Sequence, residues 1–268
     1  MLECYRVILL LRPPGSSFRS DFEFRGHGGP ASRAPEVDIL VTTLFTPGSF
    51  VASPYKQRDN IIALASIALM SWPVLPRGVT QPQKRTLWNA EFLELALNSW
   101  AKIQSDSVSW STLLLYHLIH VSIHTNMGLV QRFAHSPAEA PFRTRSGRAF
   151  ACIEQWQKTR HYPAAKWHAQ SILRRVKEAM AVSQKRSSDS VGDVPSGTGR
   201  PLILPEPPHL PYCVYFSALI LWCGSIVSND EKISNLSSIE TCLHLLSGMK
   251  VRVAELLEGI LRELRYNT

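Results

Sequence analysis

The stretch "HLIHVSIH" places His117, His120 and His124 at i, i+3 and i+7, within one narrow arc of a helix, and His120 with His124 has the H-x-x-x-H spacing of zinc hydrolases. Metal-assisted hydrolysis on such a helix needs a general base, supplied in the H-E-x-x-H arrangement by a glutamate directly after the first histidine. Here that position is Val121, and no acidic residue stands nearby. With Leu118, Ile119 and Ile123 as neighbours, the three imidazoles read first as core residues that pack and hydrogen-bond. A metal-dependent hydrolase built on this three-histidine face is the alternative reading.

The other reactive side chains are cysteines. Cys4, Cys152, Cys213, Cys223 and Cys242 form an odd set without a C-x-x-C pair, which points away from a disulfide framework and from a structural zinc module, and towards a reducing compartment. On a helix, Cys213 and Cys223 would point about 80° apart and lie nearly three turns apart, too far for one zinc ion to take both. They read as small core hydrophobes. "PSGTGRP" at 195–201 lacks the Lys-Ser/Thr of a phosphate-binding loop, and neither a G-x-S-x-G elbow nor a G-x-G-x-x-G after a strand occurs. No catalytic, cofactor-binding or metal-ligating residue is assigned on this basis, and the expectation is a protein that is not an enzyme and carries no cofactor.

Composition bounds the partners. The 268 residues are 45% hydrophobic and 19% charged, the profile of a soluble globular chain with a sizeable core. A net charge of +8 invites nucleic acid, yet the cations are spread out. The densest groups, Arg143, Arg145 and Arg148, then Arg174, Arg175 and Lys177, have no interleaved aromatic run on which bases would stack. Direct nucleic-acid contact is not expected. At the start of the chain the apolar run from Val7 to Leu11 is shorter than a secretory h-region.

The elements that would position these residues are helical. Residues 1–55 are rich in Pro, Gly, Ser and Arg and are expected to be irregular, apart from a short piece around Val37 to Leu44. "KQRDNIIALASIALMSW" then carries Ile61, Leu64, Ala65 and Ala68 at helical spacing, ended by Pro73. Trp88, Phe92, Leu95, Ala96, Trp100 and Ile103 predict a second amphipathic helix, and the apolar run from Leu113 to Ile123 a third, packed on most sides. "GRAFACIEQWQKT" predicts a short helix. A longer one follows, with Ala165, Ala169, Ile172, Leu173, Val176, Ala179 and Met180 inward, Gln170, Arg174 and Lys177 outward, and Pro163 in its first turn.

Residues 184–208 are dominated by Ser, Gly, Asp and Pro and read as a linker or long loop. Beyond it, the apolar run Tyr212 to Val227 falls short of the roughly 20 residues that a bilayer span needs, and no basic belt flanks it. It predicts a helix buried at the centre of the protein rather than in lipid. Ser237 and Glu240 have capping-box spacing, and the C-terminal run breaks near Gly248. Leu246, Met249, Val253, Leu256 and Ile260 follow a/d spacing for a little over two heptads, which leaves packing inside the domain as the default and a dimer contact as the alternative. The fold class is all-α, a multi-helical bundle around a central apolar helix, with Trp88, Trp100, Trp110, His117, Trp167, Tyr212, Tyr215 and Trp222 as its large core pieces.

"LLYHLIHVSIHTNMGLVQRFA", "WHAQSIL" and "EPPHLPYCVYFSALILW", in that order and spacing, resemble the regulatory domain, or middle homology region, of fungal zinc-finger transcription factors, most closely the subgroup with two-cysteine two-histidine fingers. The resemblance covers Lys56 to the C-terminus, which the composition of 184–208 divides into a first helical part, 56–183, and a second, 209–268, expected to pack on the first. It implies transcription regulation in the nucleus, with the transcription machinery or co-regulator proteins as partners and a small-molecule effector as a further candidate ligand. DNA binding and zinc would belong to finger modules whose cysteine and histidine spacing this sequence lacks.

Overall fold

The computed structural model describes residues 57–70, 90–103, 108–135, 147–189, 206–227 and 232–266. Its elements are α1 (Gln57–Met70), α2 (Ala90–Ile103), α3 (Trp110–His124), α4 (Met127–His135), α5 (Arg148–Gln157), α6 (His161–Asp189), α7 (Leu210–Val227), α8 (Lys232–Ser247) and α9 (Arg252–Tyr266). Among the described residues there is no strand, and the fold is all-α, as the helical periodicity predicts. The expected irregular segment 1–55, Arg143, Arg145 and Trp88 lie outside the described residues.

The chain divides into two compact units between Met127 and Gly128. Composition had placed the division at 184–208, and two findings move it. First, α6 continues to Asp189, through the opening residues of the expected linker. "QKRSSD" is polar but has neither Pro nor Gly, and an established helix extends through such residues at small cost. Second, α7 packs on α5 and α6 as well as on α8 and α9, so the helices on either side of that stretch share one core.

In the first unit α1, α2 and α3 pack pairwise. α1 buries Ile61, Leu64, Ala65 and Ala68, and with them Ala63 and Ile67. α3 opens at Ser109, whose extended backbone (φ −62°, ψ 143°) lets its hydroxyl accept from the Thr112 N–H at 3.3 Å, satisfying one of the amides that a helix start leaves without a partner. Leu114 to Val121 are all buried, so α3 is enclosed on most sides.

α2 is turned relative to expectation. Its inward stripe is Leu93, Ala96, Leu97 and Trp100, whereas Phe92 and Leu95 are 53% and 44% exposed. Apolar residues cover more than half of this helix, so period alone does not decide which side faces in. Trp100 does: its indole N–H must find an acceptor when buried, and it donates to the Asn60 side-chain carbonyl at 3.1 Å.

The second unit is built around α7, which is enclosed from Leu210 to Gly224 with only Tyr212 half-buried. A helix that is apolar all round must be covered on every side, and α5, α6, α8 and α9 cover it. α6 presents Ala165, Ala169, Ile172, Leu173 and Val176 inward and Gln170, Arg174 and Lys177 outward, as its spacing predicts, while Ala179 and Met180 at the end of the expected stripe are only half-buried. α8 starts at Lys232, so Ser237 and Glu240 lie within the helix and form no capping box at its start. The sequence carries Ile233, Leu236 and Ile239 at helical spacing, which extends the helix ahead of Ser237. The break at Gly248 is present, and it ends the a/d run: Leu246 and Met249 are buried, but Leu256 on α9 is 64% exposed. α9 buries a different stripe, Ala254, Leu257, Leu261 and Leu264.

Candidate functional site

His117, His120 and His124 are all buried on α3, inside an aromatic column of the first unit. Trp100 stacks on Tyr116 at 5.5 Å between ring centroids, and Tyr116 meets the edges of His117 and His120 at 5.1 and 4.7 Å. His120 and His124 lie nearly parallel, 16° apart and 6.0 Å between centroids, so their rings stack along the helix. Among the described residues no group of three or more His, Cys, Asp or Glu is placed to hold a metal ion. The Tyr116 hydroxyl donates to the Asn98 carboxamide at 3.4 Å, and burial, helped by the nearby Glu94 carboxylate, pushes its pKa above the ordinary tyrosine value. The column is thus a tightly packed polar-aromatic core.

The second unit holds four described thiols, of which Cys152 on α5 is exposed and the other three are sheltered. Cys213, Cys223 and Cys242 are buried and unbridged. Burial raises the Cys213 pKa far above the usual thiol range, and raises that of Cys242 to about 12 against a smaller opposing pull from Lys177. A thiol that stays protonated at neutral pH is neither a nucleophile nor a metal ligand without a base to relieve it. Around α7 the remaining polar contacts are positional. Gln157 donates to the carbonyls of Cys223 and Gly224 at 2.8 and 3.3 Å near the helix end, His135 bonds the Tyr215 hydroxyl at 3.0 Å, and the Glu206 carboxylate accepts from the Lys250 N–H at 3.0 Å.

A cleft of about 370 Å³ lies between α8 and α9, lined by Leu243, His244, Ser247, Glu258, Arg262 and Arg265. Arg262 pairs with Glu258 at 2.5 Å, Arg265 with Glu240 at 2.6 Å, and the Ser247 hydroxyl donates to the His244 carbonyl at 3.0 Å. Its lining is polar and solvated, unlike the apolar pocket that a small-effector reading calls for.

The expected large core pieces divide. Trp100, His117, Tyr215 and Trp222 are buried, and Trp110 and Tyr212 are half-buried. Trp167 is 55% exposed, which overturns its placement in the core. On α6 it points roughly 200° away from Ala165 and so away from the inward stripe. It stands instead on a face with exposed Pro163, Gln170, Arg174 and Lys177, and its ring meets the edge of His168 at 4.7 Å. On sequence, Trp167 is expected in the core together with Trp88, Trp100, Trp110 and Trp222. The available signal was its phase, opposite the Ala165, Ala169, Ile172 stripe, with Arg174 two turns on.

No helix among the described residues is by itself long and apolar enough to cross a membrane; α3 and α4 reach that length and composition only when counted together. No protein-family model, curated protein or solved structure matches the chain.

Proposed function

We propose that this chain is the helical regulatory body of a nuclear transcription regulator of the fungal zinc-finger class, working through contacts with co-regulator proteins. The reading begins from the three sequence blocks that resemble that family, and the all-α architecture with α7 at the centre of its unit is compatible with it. The observation that carries the contact role is the Trp167 face. Within "WHAQSIL" the residues His168, Ala169, Ser171, Ile172 and Leu173 are buried, whereas Trp167 is turned outward on the face that carries Arg174 two turns on. Trp167 is 55% exposed, and tryptophan and arginine are both enriched among the residues that dominate the energetics of protein interfaces. A partner segment that is apolar and acidic fits this chemistry.

The test is to tether the full chain to an unrelated DNA-binding module upstream of a reporter in a fungal host. Transcription should change at least several-fold, and Trp167→Ala with Arg174→Glu should remove the change while protein level and helicity stay the same. A reporter indifferent to the tethered chain, or indifferent to the double replacement, overturns the contact reading.

A further inference from the structure

The outward face of α9 is self-complementary, and we infer that it pairs antiparallel with α9 of a second copy of this chain. The residues along this face are Arg252, Leu256, Gly259 and Glu263, all exposed, with Leu256 at 64%. Their spacing of four, three and four is palindromic, and it is the spacing that keeps a seam on one side of a helix. Reversing one copy about the midpoint between Leu257 and Glu258 sets Leu256 against Gly259 of the second copy and Arg252 against its Glu263. Each contact occurs twice, as a two-fold axis requires.

The chemistry of each position suits that arrangement. A Cβ built on Gly259 meets nothing within 4 Å, so its surface is an open notch into which the Leu256 side chain of the other copy can seat. Arg252 and Glu263 form no ion pair among the described residues, unlike Arg262 and Arg265 on the same helix, which are paired to Glu258 and Glu240. In the antiparallel pair the two unmatched charges meet their opposites at both ends of the seam, whereas a parallel pair would set like against like. Half-buried Val253 and Ile260 flank the seam on one side and add apolar area. One helix face is a small interface, so association is expected in the micromolar range or weaker.

Sedimentation of the full chain over a rising concentration series reads this directly. The expected result is a mass that climbs from 30.1 kDa towards twice that value. Leu256→Arg should abolish the rise. Arg252→Glu should weaken association by about tenfold, and Arg252→Glu combined with Glu263→Arg should return it close to the wild-type curve. All these positions are exposed, and an unchanged helical circular dichroism spectrum and melting temperature confirm that each variant is folded. A wild-type chain that remains at the monomer mass across the series, or association that ignores Leu256→Arg or is not restored by the charge exchange, overturns the inference.

Discussion

The hydroxyl of Tyr162, in the first turn of α6, occupies the space into which a side chain at position 224 of α7 would project. Gly224 is therefore glycine for want of room. The Tyr162 ring is itself held, edge-on to Trp156 at 5.1 Å and beneath the Lys166 ammonium at 5.9 Å, so it does not swing aside freely. Gly224→Ala is expected to cost about 1–3 kcal/mol in urea unfolding, as overpacking of a filled site does. Tyr162→Phe, which removes the nearest clashing atom, should recover part of that loss in the double variant.

Trp222 is fully enclosed on α7 and tilts against Phe133 of α4 at 5.6 Å. Truncation to alanine leaves a cavity that the surrounding helices cannot close, and Trp222→Ala should lose about 3–5 kcal/mol in a chemical denaturation series. A loss under about 1 kcal/mol would contradict its central placement.

Stability should fall in alkali, and the sign follows from the buried thiols. In the unfolded chain Cys242 releases its proton near its ordinary value of 9.0, whereas in the folded protein burial holds the proton to about 12. Between those values the folded state binds the extra proton, so its advantage is complete below pH 9 and lost as pH rises towards 12. Each such thiol contributes a slope of about 1.4 kcal/mol per pH unit, and Cys213, raised further by burial alone, adds to it. Urea midpoints measured from pH 8 to pH 10.5 should be flat at first and then decline, and Cys242→Ala should make the decline shallower.

How far the sequence foretells this structure differs from helix to helix. Where one narrow apolar stripe faces a polar side, as in α6, both the helix and its orientation follow from spacing, down to Gln170, Arg174 and Lys177 pointing outward. Where apolar residues exceed what one face can hold, the helix is predictable but its rotation is not. α2 turned about Trp100 to reach Asn60, an acceptor forty residues upstream that no local period reveals. The a/d run through Leu246 and Leu256 failed for a related reason, because the break at Gly248 resets the phase between α8 and α9. The histidine spacing of α3 is legible in sequence, but its meaning depends on Tyr116 and Trp100 meeting the rings, which is tertiary information. The exposure of Trp167 was the residue-level detail most open to prediction and most easily overlooked.

Each compact unit holds a tryptophan sealed from water, Trp100 in one and Trp222 in the other, while Trp167 is more than half exposed. Indole emission therefore comes from blue-shifted and red-shifted sources within a single chain. Replacing the other indoles by phenylalanine leaves an optical reporter that follows the melting of one unit at a time.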